Sequence, residues 1–398
     1  MYSFQREYTL IPHSPLIHFQ YDKDGAALRA TEVKPKLDRY IIKHCKEIPD
    51  IWRNDQSKNA FNYQMRIISL ENNPPIALGY KDEHGNRTNY DIYYGNMGDG
   101  PKKKGLKNKQ KVIITCFNES LLKYIDKVIG DFFIVTNFGT MQSKGFGSFT
   151  VDGRCNTDNH ICEVLKSEYT TGGRCYAFTA RNGNEFKYIK TIYSLIKSGV
   201  NLTSDPEDTS MTEEQADMDP DTPYKRSILF DYMHDLSERG LQNIGNEKAW
   251  MKQNDISPRL GREKEQHDAV SRYVRALLGI CERIEYKNSY TNNRDKVAVR
   301  IKCVSKDRKI ERLNSPVLFK IINNIVYFVG CEPEEKIYGA EFEFSSAMNG
   351  TFRSGRLFVP EKQELPSNFM NDFMHYVWEK INECKAKFNI RYINIREV

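Results

Sequence analysis

The chain has 398 residues, 28% of them charged, a mean hydropathy of −0.65 and a formal net charge of +6. That length holds two domains with cores of their own, and no apolar run approaches the length needed to cross a bilayer. The opening Met1-Tyr2-Ser3-Phe4-Gln5-Arg6-Glu7 lacks the basic-then-apolar order of a secretory leader. Nine scattered cysteines without a CxxC pair fit neither a zinc motif nor a disulfide framework. The expectation is a cytoplasmic protein with reduced thiols, no bound metal and no other cofactor.

Charge is unevenly spread. Asp205 to Asp221 holds eight acids and no Lys or Arg, which leaves the rest of the chain near +14. Such a surplus favours a polyanionic partner. The chain also has 23 Tyr and 21 Phe. Rings interleaved with cations suit single-stranded nucleic acid, where bases stack and phosphates pair, although many such rings serve cores.

In chain order, residues 2–11 alternate as a strand that ends at Pro12 and Pro15. A helix follows, with Thr31 as N-cap, Pro35 in the first turn and Val33, Leu37 and Ile41 as its buried stripe. Arg29, Lys34 and Lys36 gather at its entrance, where free backbone donors favour an anion. Phe61–Leu70 reads as a strand and Asn72-Asn73-Pro74-Pro75 as a turn. Six lysines between Pro101 and Lys111 read as a disordered loop. Val112–Phe117 is a buried strand. Asn118 caps a helix through Ile129, Gly130 closes it, and Phe132–Phe138 is the next strand. Another strand is expected at Cys175–Arg181. The order strand, helix, strand, strand, helix, strand matches a ferredoxin-like split βαβ unit.

The stretch Phe138 to Phe149 stands out. Gly139, Gly145 and Gly147 permit positive φ and close backbone approach, and Lys144 adds a cation beside exposed amides, a combination suited to phosphate. Phe146 and Phe149 are three apart and face opposite ways, unlike the stacking pair of an RRM strand. The glycine spacing is neither a Walker loop nor a dinucleotide fingerprint. An ordinary glycine-rich hairpin is the plain alternative.

Beyond the acidic stretch, read as a linker, short helices are expected at Tyr224–Arg239 and Asn246–Asn254. A long one is expected over Glu263–Ile284, with Arg259, Arg262, Arg272 and Arg275 on a basic side. Val297–Cys303 is a strand, and Pro316–Val329 is a hairpin turning at Asn323-Asn324. The strand Ala340–Phe344 precedes a second glycine-and-arginine segment, Asn349 to Val359. Ser367 caps a helix with Phe369, Phe373, Val377 and Ile381 inward, and Tyr392–Ile395 closes as a strand. The fold class expected is α+β, two ferredoxin-like domains with helical insertions. The first covers 1–200, a linker covers 201–223, and the second covers 224–398.

Four stretches together resemble the RAMP superfamily of CRISPR-associated RNA-binding proteins, especially the first subunit of the type III-B Cmr effector complex. They are Ser14-Pro15-Leu16-Ile17-His18 with Leu28–Arg39; the Gly139–Ser148 loop; Val274-Arg275-Ala276-Leu277-Leu278-Gly279; and Arg312-Leu313-Asn314-Ser315-Pro316-Val317 with Gly355-Arg356-Leu357. Pro35 stands where the family often has Gly, and 200–260 has no counterpart. The resemblance implies an antiviral-defence ribonucleoprotein subunit that binds guide RNA, or its duplex with target, beside other effector subunits. It places RNA contacts at Arg29, Lys34, Lys36 and Arg39 on the helix entrance. In the loop it places them at Gly139, Lys144, Gly145, Phe146, Gly147 and Ser148, with Arg353 and Arg356 in the second half.

Relatives of this kind include passive binders and ribonucleases. His13 and His18 flank Ser14-Pro15, and two histidines could move the 2′-OH proton and protonate the leaving oxygen without a metal. A guide-processing endoribonuclease is therefore one alternative, and an interaction scaffold docking through the C-terminal helix is another. Nothing places two carboxylates together for a metal-dependent cut, and a non-catalytic role is preferred.

Overall fold

The computed structural model describes residues 4–17, 27–53, 59–79, 88, 90, 104–154, 156–170, 173–181, 183–201, 224–256, 269–287, 296–348, 351–385, 390 and 393–398. The acidic stretch 205–221, His18 and residues 257–268, with Arg259 and Arg262, lie outside them. The fold mixes α and β, with several antiparallel sheets and, among the described residues, seven α-helices.

In the first sheet, Gln5–Pro12 runs antiparallel between Gln110–Thr115 and Phe149–Val151, and Gln64–Ser69 forms the far edge. Period-two alternation turns Tyr8, Leu10, Val112 and Ile114 inward. Within the lysine-rich stretch expected to be a loop, Lys104–Leu106 is a short strand between Leu16–Ile17 and Ile76–Ala77. The helix Ala30–His44 lays Val33, Leu37 and Ile41 in the core of the first sheet. It starts at Ala30, with Arg29 at the N-cap position rather than Thr31, so Thr31 lies inside the first turn and Pro35 two residues deeper in the helix than expected. The helix Glu119–Val135 is capped by Asn118, whose side chain accepts from Leu121 N–H at 2.9 Å. It does not stop at Gly130. Ile125, Val128, Ile129 and Phe132 continue one buried stripe, and Phe132–Val135 is helix rather than strand. Gly130 leaves room for Arg154, whose Cβ would stand 3.4 Å from an added methyl.

The second sheet places Cys175–Thr179 between Ile325–Gly330 and Arg396–Glu397, with Val317–Ile322 outermost, all antiparallel. Its hairpin turns through Asn323 and Asn324 at φ 48° and 59°, as the two-residue spacing predicts. Both faces are covered. Phe178, Phe319 and Phe328 pack with the helices Glu185–Lys197 and Phe369–Cys384. Ala177, Tyr327 and Val329 pack with the helix Asp158–Tyr169 and with Ile134 and Val135. Cys175–Thr179 is thus a central strand among strands drawn from beyond residue 316.

A third antiparallel sheet joins Arg283–Lys287, Lys296–Cys303, Glu341–Met348 and Thr351–Phe358. The expected long helix over Glu263–Ile284 is absent from its described part, which holds a two-residue strand Val270–Ser271, a 3-10 turn Val274–Leu278 and then a sheet strand. Tyr273 N–H donates to Phe358 O at 2.8 Å, and Gly279 takes φ 114°, so the backbone serves tertiary contacts there. The arginines are engaged too. Arg272 forks onto Glu364 at 2.7 and 3.0 Å, and Arg275 meets the fully buried Glu247 at 3.0 Å.

The first two sheets meet along a polar seam. Lys320, on the outer strand of the second sheet, is buried and donates to Phe133 O at 2.7 Å, Thr136 O at 3.1 Å and Phe149 O at 3.4 Å. Two of these carbonyls end the helix Glu119–Val135, so the amine fills the position of a C-terminal cap. Burial pushes Lys320 well below the ordinary lysine range, while three acceptors match the three donors of its charged form. Beside it, Asn323 N–H donates to His13 Nδ1 at 3.2 Å, which leaves Nε2–H to donate to Thr150 Oγ1 at 2.7 Å. Burial, with Lys320 and Lys107 nearby, holds His13 down at about 3. Both ring nitrogens are engaged, so the proton transfer weighed as an alternative for His13 has no free nitrogen there.

Three outcomes test this seam. Lys320→Met strands the carbonyls of Phe133 and Thr136 and should cost about 2 kcal/mol in urea unfolding, whereas Lys309→Met on the surface should cost less than ~0.5 kcal/mol. Gly147 sits at φ 65° with an added Cβ 2.0 Å from Phe138 O, so Gly147→Ala should destabilise by roughly 2–4 kcal/mol. His13 binds its proton more weakly folded than unfolded, so its contribution is complete above pH 6.5 and is lost toward pH 3. Unfolding followed against pH should show a slope approaching ~1.4 kcal/mol per unit in that window, and His13→Gln should flatten it.

Candidate nucleic-acid interface

The glycine loop is built as a joint. Gly139, Met141, Gly145 and Gly147 all take positive φ. Ser14 Oγ donates to Gly145 O at 2.6 Å and accepts from Ser148 N–H at 2.9 Å. The second sheet then docks on the loop. Phe319 N–H donates to Ser143 O at 3.0 Å, Asn137 Nδ2 to Phe319 O at 2.9 Å, and Ser148 Oγ to Ile321 O at 2.5 Å. Phe146 is buried and stacks on Phe186 with ring centroids 4.3 Å apart. Lys144 Nζ lies enclosed over the Tyr193 ring with no hydrogen-bond partner, and burial lowers it to about 8.

These positions correct the expectation drawn for the loop. Lys144, Phe146 and Ser148 point inward: Gly145 lies against Ile321 of the strand Val317–Ile322, while Gly139 lies against Ile17 O and Gly147 against Phe138 O. The rim, Thr140 to Ser143, keeps partial or full exposure.

The helix entrance divides into anchors and a surface. Lys34 donates to Asp38 at 2.8 Å and to Phe61 O at 3.0 Å, and lies 4.2 Å from the Tyr63 ring centroid. Lys36 bridges helix and loop, donating to Glu32 at 3.0 Å, Gln142 Oε1 at 3.0 Å and Asn137 O at 3.1 Å. Glu32 also receives Gly139 N–H at 2.9 Å. Arg29 occupies the N-cap position. Arg39 is exposed and bonds Pro35 O of its own helix at 3.3 Å.

Lys36, Arg39, Tyr40 and Lys43 follow i, i+3, i+4 and i+7 spacing and so share one helix face. With Val135, Thr136, Glu168 and Tyr169 they line a cleft of about 200 Å³. Lys43 pairs with the Glu168 carboxylate at 3.0 Å and donates to the Glu168 backbone carbonyl at 2.7 Å. His44 shares that carboxylate at 2.7 Å, and Tyr169 O–H donates to Val135 O at 2.6 Å. Three cations and two phenol rings thus converge beside the seam. The sequence reading found Lys36 and Arg39 but passed over Tyr40 and Lys43, which the helical spacing already aligned, and Tyr169, which arrives only through tertiary packing.

Arg353 and Arg356 lie on the strand Thr351–Phe358 of the third sheet rather than in a loop. Arg353 pairs with Asp255, and Arg356 stands 3.6 Å from Glu341. Phe352 and Phe358 are exposed on the same strand. Among the described residues, no group of three or more His, Cys, Asp or Glu side chains could hold a metal ion, and no helix is long and apolar enough to cross a membrane.

The crystal structure of Cmr1 from Pyrococcus furiosus in its apo form is similar over 99% of this chain and 98% of that one, at 10% identity and a TM-score of 0.37. A chain in the cryo-EM structure of the type III-B Cmr-beta bound to cognate target RNA matches 37% of this chain at 12% identity and a TM-score of 0.26; the match spans 58% of that chain. No curated protein matches. The family model for the Cmr1 N-terminal domain matches residues 3–200, and that for the Cmr1 C-terminal domain matches residues 224–397. Between them they span almost the whole sequence, and the chain belongs to the Cmr1 family.

Proposed function

We propose that this chain is the RNA-binding subunit of a type III-B effector ribonucleoprotein, holding guide RNA, or its duplex with target, alongside other Cmr subunits. The observation that carries this proposal is the cleft. Arg39 and Lys43 stand about one turn apart on one helix face, next to Tyr40 and Tyr169, with Lys36 anchored at the edge by Glu32, Gln142 and the Asn137 carbonyl. Cations in a row track a phosphate backbone, and adjacent rings accept a base face. The glycine loop serves the site by position. Its Asn137 carbonyl and Gln142 side chain hold Lys36 over the cleft, and its rim borders the helix entrance.

We read both principal sheets as ferredoxin-like. In each, the chain runs strand, helix, strand, strand, helix, strand, apart from inserted segments. In each, the spatial order is second, third, first, fourth. We read the subunit as non-catalytic, since His13 is neutral and engaged at both nitrogens.

Fluorescence anisotropy on labelled single-stranded RNA between about 50 and 200 mM salt tests the surface. The double variant Arg39→Ala/Lys43→Ala should bind roughly tenfold more weakly, and its log–log salt slope should shrink by about 1.4, or ~0.7 for each phosphate no longer neutralised. Lys309→Ala should match the parent. Equal affinity and slope for parent and double variant would remove the cleft from consideration. Incubating the same RNA with stoichiometric protein in EDTA should leave it uncut.

A further inference from the structure

Cys162 sits in the first half of the helix Asp158–Tyr169, and Cys175 opens the strand Cys175–Thr179 that the helix packs against. Their Sγ atoms are 2.8 Å apart, and both side chains are buried, at 1% and 0% exposure. That separation is inside ordinary sulfur–sulfur contact, though longer than the ~2.05 Å of a bond. The other described thiols face oxygen. Cys45, Cys116, Cys303 and Cys331 point at backbone carbonyls, and Cys281 at the Tyr273 hydroxyl.

The elements bearing the pair are held at several points. Tyr327 O–H donates to Asp158 at 2.6 Å and Lys166 Nζ to Val398 O at 2.8 Å, while Val398 N–H donates to Cys175 O at 3.0 Å. The sulfurs are thus brought together by packing that does not depend on them.

We propose that Cys162 and Cys175 are a dithiol that a disulfide oxidant such as glutathione disulfide, reaching the thiols while the chain folds, converts to an intramolecular disulfide. One thiolate attacks the oxidant and releases one glutathione thiol. The second thiolate then displaces the other glutathione, so two protons and two electrons leave the protein and one Sγ–Sγ bond forms. The bond closes a short loop and fixes the helix that carries Glu168 and Tyr169 to the central strand of the second sheet.

The test is refolding of the full reduced chain in a glutathione buffer, with N-ethylmaleimide trapping and peptide mass analysis. Refolding from the denatured state makes burial of the thiols no obstacle. The expected product contains a peptide pair joined through Cys162 and Cys175. Its Tm should exceed that of the reduced protein by ~5 °C, a gain that Cys162→Ser abolishes. Folded protein in which both residues carry maleimide or glutathione overturns the proposal. So does pairing of either with another cysteine, or refolding that succeeds only under reducing conditions.

Discussion

The contact on which the rest of the molecule depends is made by a single buried amine. Lys320 belongs to the outer strand of the second sheet, yet its three bonds end on the first unit, at the close of the helix Glu119–Val135 and on Phe149. A helix end buried without partners is costly, and a buried amine without partners is costly too. Each resolves the other. The glycine loop wraps the same contact, His13 and Asn323 extend it, and the cleft opens where helix, loop and seam come together. The cleft is therefore a by-product of how the two sheets are joined.

This arrangement separates residues that hold the site from residues free to use it. Lys34, Lys36 and Lys144 have the composition of a phosphate site, but Lys34 and Lys36 have partners within the protein, and Lys144 is enclosed. Arg39 reaches outward from the same helix. The distinction is one of desolvation. An ammonium already sealed against carbonyls, carboxylates or a ring has little left to offer a phosphate, whereas an exposed guanidinium keeps its forked donors.

Local order was readable where the chain makes its own decision. The stripe Val33, Leu37, Ile41, the Asn118 cap and the Asn323-Asn324 turn need only neighbours in sequence, and each stands where spacing puts it. The mixed α and β class was readable for the same reason. Legibility failed where distant segments compete for the backbone. Phe132–Val135 has strand-like composition but remains helix because its rings complete a stripe begun at Ile125. Val274–Leu278 has helical spacing but closes as a short 3-10 turn, after Tyr273 has donated its N–H to Phe358 O of a sheet strand. The loop's glycines announced a close approach without saying to what. Tyr169 entered the cleft from a helix whose docking no local pattern encodes.

The strand Cys175–Thr179 has no lateral neighbour from its own half of the chain. As the polypeptide emerges from the ribosome, its first partner, Ile325–Gly330, is not yet made, and its second, Arg396–Glu397, comes later still. The first sheet draws on nothing beyond Val151 and can assemble early. The second must wait with an apolar strand in hand, and during that wait the helices Asp158–Tyr169 and Glu185–Lys197 are the nearest cover. Synthesis thus imposes an order of assembly on a molecule whose finished form has two sheets of similar pattern.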